Sequence, residues 1–407
     1  MSLSPAKIVQ ELAKRGVLIR GPASLDIDPS VDLDRIAAGV VLHAGCRLTG
    51  EDTSIGPGCV LGEEAPVTLD NCQLADRVAL KGGYFSGAVF LSDVTLASCA
   101  HVRPGTLLEE QAAGGHSVGL KQTVLMPFVT MGSLINFCDC LMAGGASRSR
   151  HSEVGSSYVH FNFTPRQDKA TASLLGDVPR GVMLDQPPIF LGGQGGLVGP
   201  VRIEYGTVIA AGTVCRRDIA RPGRLVFGET GRRIQNRPYE PGAYGDIARI
   251  VAANLAYLGN LHALRQWYLH VRSRFMLGSP FDAACHAGAR TRIEAMIAER
   301  IVRMNELASS ISSSPGMARR RSPMMPHGRP DAIHRRLAGK WPRVAEAIGS
   351  FDAGNTAVRR RDAFLGSIGK MDGGKSYLDG IKALDPAARR IGAAWLRAIV
   401  DAVVDLW

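Results

Sequence analysis

The sequence predicts a mainly β chain, a solenoid of hexapeptide repeats followed by an α-helical region. Three observations carry this. Apolar residues recur at intervals of six: Val78, Tyr84, Phe90, Leu96, Val102 and Leu108 form one run, and Ile36, Leu42, Leu48, then Ile55, Leu61, Val67, then Leu197, Ile203, Ile209 form shorter ones. Glycine or another small residue often follows the apolar position, as in Ile55-Gly56-Pro57-Gly58. From about Tyr244 the texture turns to Ala, Arg, Leu and Ile at helical spacing. A period of six fits neither the 3.6 of a helix nor the 2 of a plain strand. It fits a unit of one short strand plus a turn, three of which close a triangular coil. A sandwich of short strands would space them by roughly 8–12 residues.

The elements follow in order. Residues 1–22 read as a short helix, with Ser4 placed to N-cap, Pro5 at the first helical position, and Ile8 and Leu12 on one face. Residues 23–220 are the solenoid, interrupted twice, from Ala143 to Arg150 and from Thr164 to Pro188. Loops ejected from a rigid solenoid are natural carriers of function. Residues 221–243, rich in Pro, Gly and Arg, are a linker. Residues 244–407 form an α-helical domain with three apolar stripes, the first from Ile247 to Phe275, the second from Ile293 to Leu307, the third from Ile391 to Leu406. Inside it, residues 309–330 carry serines, prolines and Arg319-Arg320-Arg321 and read as a flexible basic linker. Arg359-Arg360-Arg361 is a second basic run, read as a solvated face.

Composition narrows the function classes. The chain has 407 residues, 45% hydrophobic and 21% charged, which excludes a mostly disordered chain. The net charge of +11 makes nucleic acid, anionic lipid or phosphorylated small molecules the partners to consider. Nucleic acid is not expected, because no aromatic residues interleave the basic runs. No run of about 18 apolar residues occurs, so no membrane partner is expected, and no signal peptide is read at the N-terminus. Eight cysteines without a CxxC pair suit reduced thiols and a cytoplasmic location.

Within residues 101–218, the segments HVRPGTLLEE, GHSVGLKQ, GSLINFCD, EVGSSYVHFNFTP and VIAAGTV occur in order. In wording and sequence they resemble the acetyltransferase half of the bifunctional N-acetylglucosamine-1-phosphate uridyltransferase/glucosamine-1-phosphate acetyltransferase family. The resemblance implies a left-handed parallel β-helix, a homotrimer, acetyl-CoA or another acyl-CoA as co-substrate, and a phosphorylated sugar or sugar nucleotide as partner. It implies that Arg103 and Lys121 hold a sugar phosphate, as a planar fork and a point charge can. Asn162, followed by Phe163, matches an asparagine beside substrate and acyl donor. Ala210, Ala211 and Gly212 match a late coil along which the pantetheine arm passes. Asn136 stands where the family has a tyrosine near the substrate. No glycine-rich pyrophosphorylase loop opens the chain, so nucleotidyl transfer is not expected of it.

The sequence departs from the family at the catalytic base. The family has a histidine directly after a glycine, and here Gly132 is followed by Ser133. His116, His151 and His160 fall in the matching segment. His160 is the first choice for a replacement base, because residues two apart on a strand share a face and Asn162 is its neighbour there. His151, directly after the first interruption, is the second. No metal site is expected, since gathering Cys138, Cys140, His151 and His160 would need a convergence the spacing does not supply. The function expected is acyl-CoA-dependent N-acyl transfer to an amino-sugar phosphate or sugar nucleotide. The alternatives are a sugar-phosphate binding protein without the chemistry, or a trimeric scaffold.

Overall fold

A computed structural model of the chain describes residues 4–162, 169–228, 246–312, 330–369 and 376–407. Most of 221–243 and of 309–330, Phe163, and the Arg319-Arg320-Arg321 run therefore lie outside the described residues.

Residues 18–226 wind into a parallel β-solenoid of the left-handed hexapeptide type, with three faces. The first face is an 11-stranded parallel sheet from Leu18–Ile19 to Leu225–Val226. The second and third faces are joined into one 16-stranded sheet, because Val118–Leu125 and Ile135–Met142 each run around the corner between them. At that corner Gln122 and Asp139 take positive φ, 50° and 58°. Other corners carry left-handed residues in the same way, among them Ser117, Leu134 and Ser157. The hexad residues line the interior: Leu42, Leu61, Val78, Phe90, Leu96, Val102 and Leu108 are fully buried. Tyr84 is the exception among those expected inside. It is 40% exposed while Phe85 fills the core, because the strand Gly83–Ser86 is shifted by one residue.

Helix α1 (Pro5–Lys14) lays Ile8 and Leu12 on the open N-terminal end of the solenoid, the capping that a repeat stack requires. Ser4 occupies the N-cap position, but its side chain makes no cap hydrogen bond. The first interruption is a small antiparallel pair, Gly145–Ser147 with Arg150–His151. The second is not an unbroken excursion: Ser173–Leu175 rejoin the third face between Cys140–Met142 and Arg202–Ile203, and only then does α2 (Val178–Gly181) leave it.

Five helices lie C-terminal to an initial long one: α3 (Ile247–His270), then α4 (Pro280–Ser312), α5 (Pro330–Gly349), α6 (Val358–Ile368), α7 (Tyr377–Lys382) and α8 (Pro386–Val404) among the described residues. They share one hydrophobic core with the solenoid, packed on its third face. The outward residues of that face, Val89, Leu107, Val124, Leu141 and Leu174, are as buried as the inward ones. Helix α4 approaches closely at Gly288, where a Cβ would stand 2.2 Å from Gln73 Oε1. Buried charge fixes the docking. Arg272 reaches Glu109 at 3.1 Å, pairs with Glu110, and lies 3.4 Å over the Tyr377 ring. Arg300 of α4 binds Asp139 Oδ1 at 2.6 Å. No helix among the described residues is long and apolar enough to cross a membrane.

Candidate functional site

Among the described residues the helices cover the third face only, and the residues singled out by the resemblance gather on the second. Side chains alternate along each strand, so register decides which residues share its outer surface. His101, Gly119, Asn136 and Val159 pair in register across four coils and form one outward column. Two residues further along each strand stands a second outward column, Arg103, Lys121, Cys138 and Phe161. Arg103 Nη2 donates to Cys138 Sγ at 3.3 Å, and Lys121 pairs in register with Cys138. The two cations thus stack on successive coils at the corner between the second and third faces. Burial raises the Cys138 thiol pKa, and Arg103 and Lys121 oppose the rise.

The Arg103-Pro104-Gly105 turn has a local cause. Gly105 has φ of 80°, and its missing Cβ leaves room for the Gln122 side chain, whose Nε2 lies 2.4 Å from where that carbon would be. The turn can therefore sit tightly under the corner that carries Lys121. Between the cations and the opposite edge the surface is low at Gly119, where a Cβ would meet nothing nearer than 3.6 Å.

The opposite edge, between the first and second faces, is a stack of small residues. Backbone bonds from Leu134 to His116 O, Ser157 to Ser133 O, Gln194 to Ser156 O and Gly212 to Gly193 O align His116, Ser133, Ser156, Gly193 and Ala211 coil over coil. His116 Nδ1 and Ser133 Oγ are 2.8 Å apart. The Ser133 N–H donates to Ser156 Oγ at 3.1 Å. Ala211 and Gly212 are exposed, and among the described residues nothing stands within 4 Å of a Cβ placed on Gly212.

Of the residues singled out from sequence, Arg103, Lys121 and Asn136 share the second face. Ala210, Ala211 and Gly212 stand at its far edge, beyond Ser133. Asn162 lies near the cation corner, but its Nδ2 donates to Asp139 Oδ2 at 3.0 Å, in the network that Arg300 closes.

His160 points inward, whereas Asn162, just past the end of the same strand, turns to Asp139 and the Arg300 network at the corner. Register places His160 level with Leu197 and, on the preceding coil, with Phe137, in the column that fills the interior. It is 1% exposed, with Nδ1 on Cys138 O at 2.5 Å and Nε2 on Ser173 Oγ at 2.8 Å. Burial pushes its pKa down to about 4. A side chain so enclosed reaches no ligand on this chain's surface. His151 is also misplaced for the role expected. It belongs to the excursion at the corner between the third and first faces, away from the cations. Its Nδ1 lies 2.7 Å from Arg148 O, and Arg148 straps the excursion to Gln111, Phe128 and Thr130. Among the described residues no group of three or more His, Cys, Asp or Glu is placed to hold a metal ion.

The pair that sequence reasoning passed over is His116 with Ser133. The signal was present: each follows a glycine, and they are 17 residues apart, one coil of this part of the solenoid.

No family model matches the chain. The bifunctional protein GlmU of Trichlorobacter lovleyi is 29% identical over 228 residues, covering 55% of this chain and 45% of that protein. Its counterpart in Acinetobacter baumannii is 27% identical over 235 residues, covering 57% and 45%, and that of Thermotoga petrophila 26% identical over 213 residues, covering 52% and 42%. The chain spans less than half the length of these curated relatives. They agree with the resemblance read from the sequence, to the acetyltransferase half of that bifunctional family. A solved structure of the polysialic acid O-acetyltransferase OatWY covers 55% of this chain and 91% of its own at 13% identity, with a TM-score of 0.16 that bears no weight.

Proposed function

We propose that the chain is an acyl-CoA-dependent N-acyltransferase whose acceptor is the amine of an amino-sugar phosphate or sugar nucleotide, bound on the second face. The observation that carries the reading is the stacking of Arg103 and Lys121 on successive coils, in one outward column, beside Asn136 and a glycine floor. A guanidinium fork and an ammonium on one corner suit a phosphate. The strip formed by Ser156, Gly193, Ala211 and Gly212 suits the thin arm of a CoA thioester, because small side chains let it lie close to the backbone. With the third face covered by helices, a homotrimer uses the first and second faces, and light scattering on the purified chain is expected to give the mass of three copies. Eight unpaired thiols suit a cytoplasmic setting.

Thiol release from acetyl-CoA and longer acyl-CoAs, measured with a panel of amino-sugar phosphates and sugar nucleotides, tests the reading. Turnover that requires both a phosphate and a free amine on the acceptor supports it. The binding-protein reading has one observation in its favour: Ser133 stands where the family has its histidine, while His160 is enclosed and His151 is at another corner. Tight calorimetric binding of sugar phosphates with no thiol released from any acyl-CoA would establish that reading instead.

A further inference from the structure

We propose that His116 is the general base of this site and that Ser133 is the positioning residue that sets its tautomer. The assignment rests on the acyl-transfer reading and identifies the group that moves the proton. Of the four histidines in residues 101–218, His160 is enclosed, His151 stands at another corner, His101 lies in the outward column with its ring 5.2 Å from that of Tyr84, and His116 is exposed at the edge of the second face, hydrogen-bonded to Ser133. The strand residues Val118 to Lys121 lead from it to the cation corner, three steps or about 10 Å at roughly 3.3 Å per residue. That is the scale of a phosphorylated sugar together with the side chains that grip its two ends. Gly119 leaves the surface between them open.

The contact between the two residues defines their roles. Ser133 Oγ is 2.8 Å from Nδ1, and the Ser133 N–H is held by Ser156 Oγ. With Nδ1–H donating to Ser133 Oγ, the lone pair lies on Nε2, which has no partner among the described residues. In the step proposed, the neutral acceptor nitrogen attacks the thioester carbonyl of the acyl-CoA. A C–N bond forms and the C–S bond breaks. The proton lost by nitrogen passes to His116 Nε2 and from there to the departing sulfur, releasing free thiol. Serine at 133 thus does not remove the base from this edge of the solenoid. It supports one placed a coil earlier.

The test compares His116→Ala, Ser133→Ala and Ser133→Thr with the wild-type chain, by steady-state thiol release and by calorimetry with the same sugar phosphate. His116→Ala is expected to lower kcat by about 10²–10⁴-fold with acceptor affinity retained, and added imidazole is expected to restore part of the rate. Ser133→Ala is expected to lower kcat severalfold at unchanged KM, and Ser133→Thr, which keeps the hydroxyl, to recover it. Wild-type turnover that His116→Ala preserves would overturn the base assignment alone. An acyl group found on Ser133 by intact mass after incubation with acyl-CoA would overturn it too, by making the serine a nucleophile. A folded wild-type chain that releases no thiol overturns the acyl-transfer reading itself, and the assignment with it.

Discussion

Lys121 stands on the second face with Arg103 on the coil before it, and on the proposed reading its ammonium meets the acceptor's phosphate. Lys121→Ala is expected to weaken binding of a sugar phosphate by about 1.5–3 kcal/mol, the scale of a charge-assisted hydrogen bond. Calorimetry at fixed salt reads it, and unchanged affinity would return Lys121 to the solvated surface. His160 gives a different measurement. Its folded pKa, pushed down to about 4 by burial, lies below the roughly 6.5 of an unfolded histidine. Between those values the unfolded chain takes up a proton that the folded chain refuses. Stability is therefore full above about pH 6.5 and falls as pH drops toward 4, by about 1.4 kcal/mol per unit for this residue. His262, in α3, is held down to about 3 by the same cause and extends the decline. Both its ring nitrogens are buried without a hydrogen-bond partner among the described residues. Denaturant melts of His160→Gln across this range are expected to show a lower plateau and a shallower acid slope; an unaltered slope would show that His160 titrates normally.

At the scale of elements, the third face shows what the sequence made legible and what it did not. The period of six located the solenoid, its inward residues and its corners, because one face of each strand must always be buried. It did not locate the covered face, though a signal was there. Val89-Phe90, Leu107-Leu108, Val124-Leu125, Leu141-Met142 and Leu174-Leu175 are apolar at consecutive positions, the mark of a strand buried on both sides. The strands of the second face instead place His101, Gly119 and Asn136 between buried neighbours. Arg103, Lys121 and Asn136, which the family resemblance singled out, lie together on the second face, whereas the side of the strand that His160 occupies depended on a register only the coil stacking fixes. The docking of α3 and α4 is tested at two points. Arg272→Met strands Glu109, 1% exposed, and is expected to cost about 3–5 kcal/mol; adding Glu109→Gln is expected to recover part of that loss. Gly288→Ala puts a methyl against Gln73 and Val89 and is expected to cost about 1–3 kcal/mol in chemical denaturation.

For the whole molecule, helices and solenoid are one cooperative body, since a single hydrophobic core runs through both. A chain ending at residue 228 would expose the row of Val89, Leu107, Val124, Leu141 and Leu174 to water. It is expected to aggregate on expression or to bind a hydrophobic dye strongly, whereas the full chain unfolds in one transition by calorimetry. A truncated chain that stays monodisperse and melts at the temperature of the full chain would contradict this.

The way α4 and its neighbours are tied down also limits how this molecule can change length. A bare repeat stack is modular: a coil can be gained or lost, and the neighbours on either side close up unchanged. Here Arg292 holds Asn71 O, Arg272 holds Glu109 and Glu110, Arg300 holds Asp139, and Arg397 holds Asp177, anchors spread over several coils of one rigid scaffold. Dropping a coil between any two of them would shift one anchor past its partner by a full strand spacing, about 4.8 Å, and leave a buried charge facing nothing. The helices act as a gauge that counts the coils, so insertions are confined to corners, where the two excursions of this chain are found.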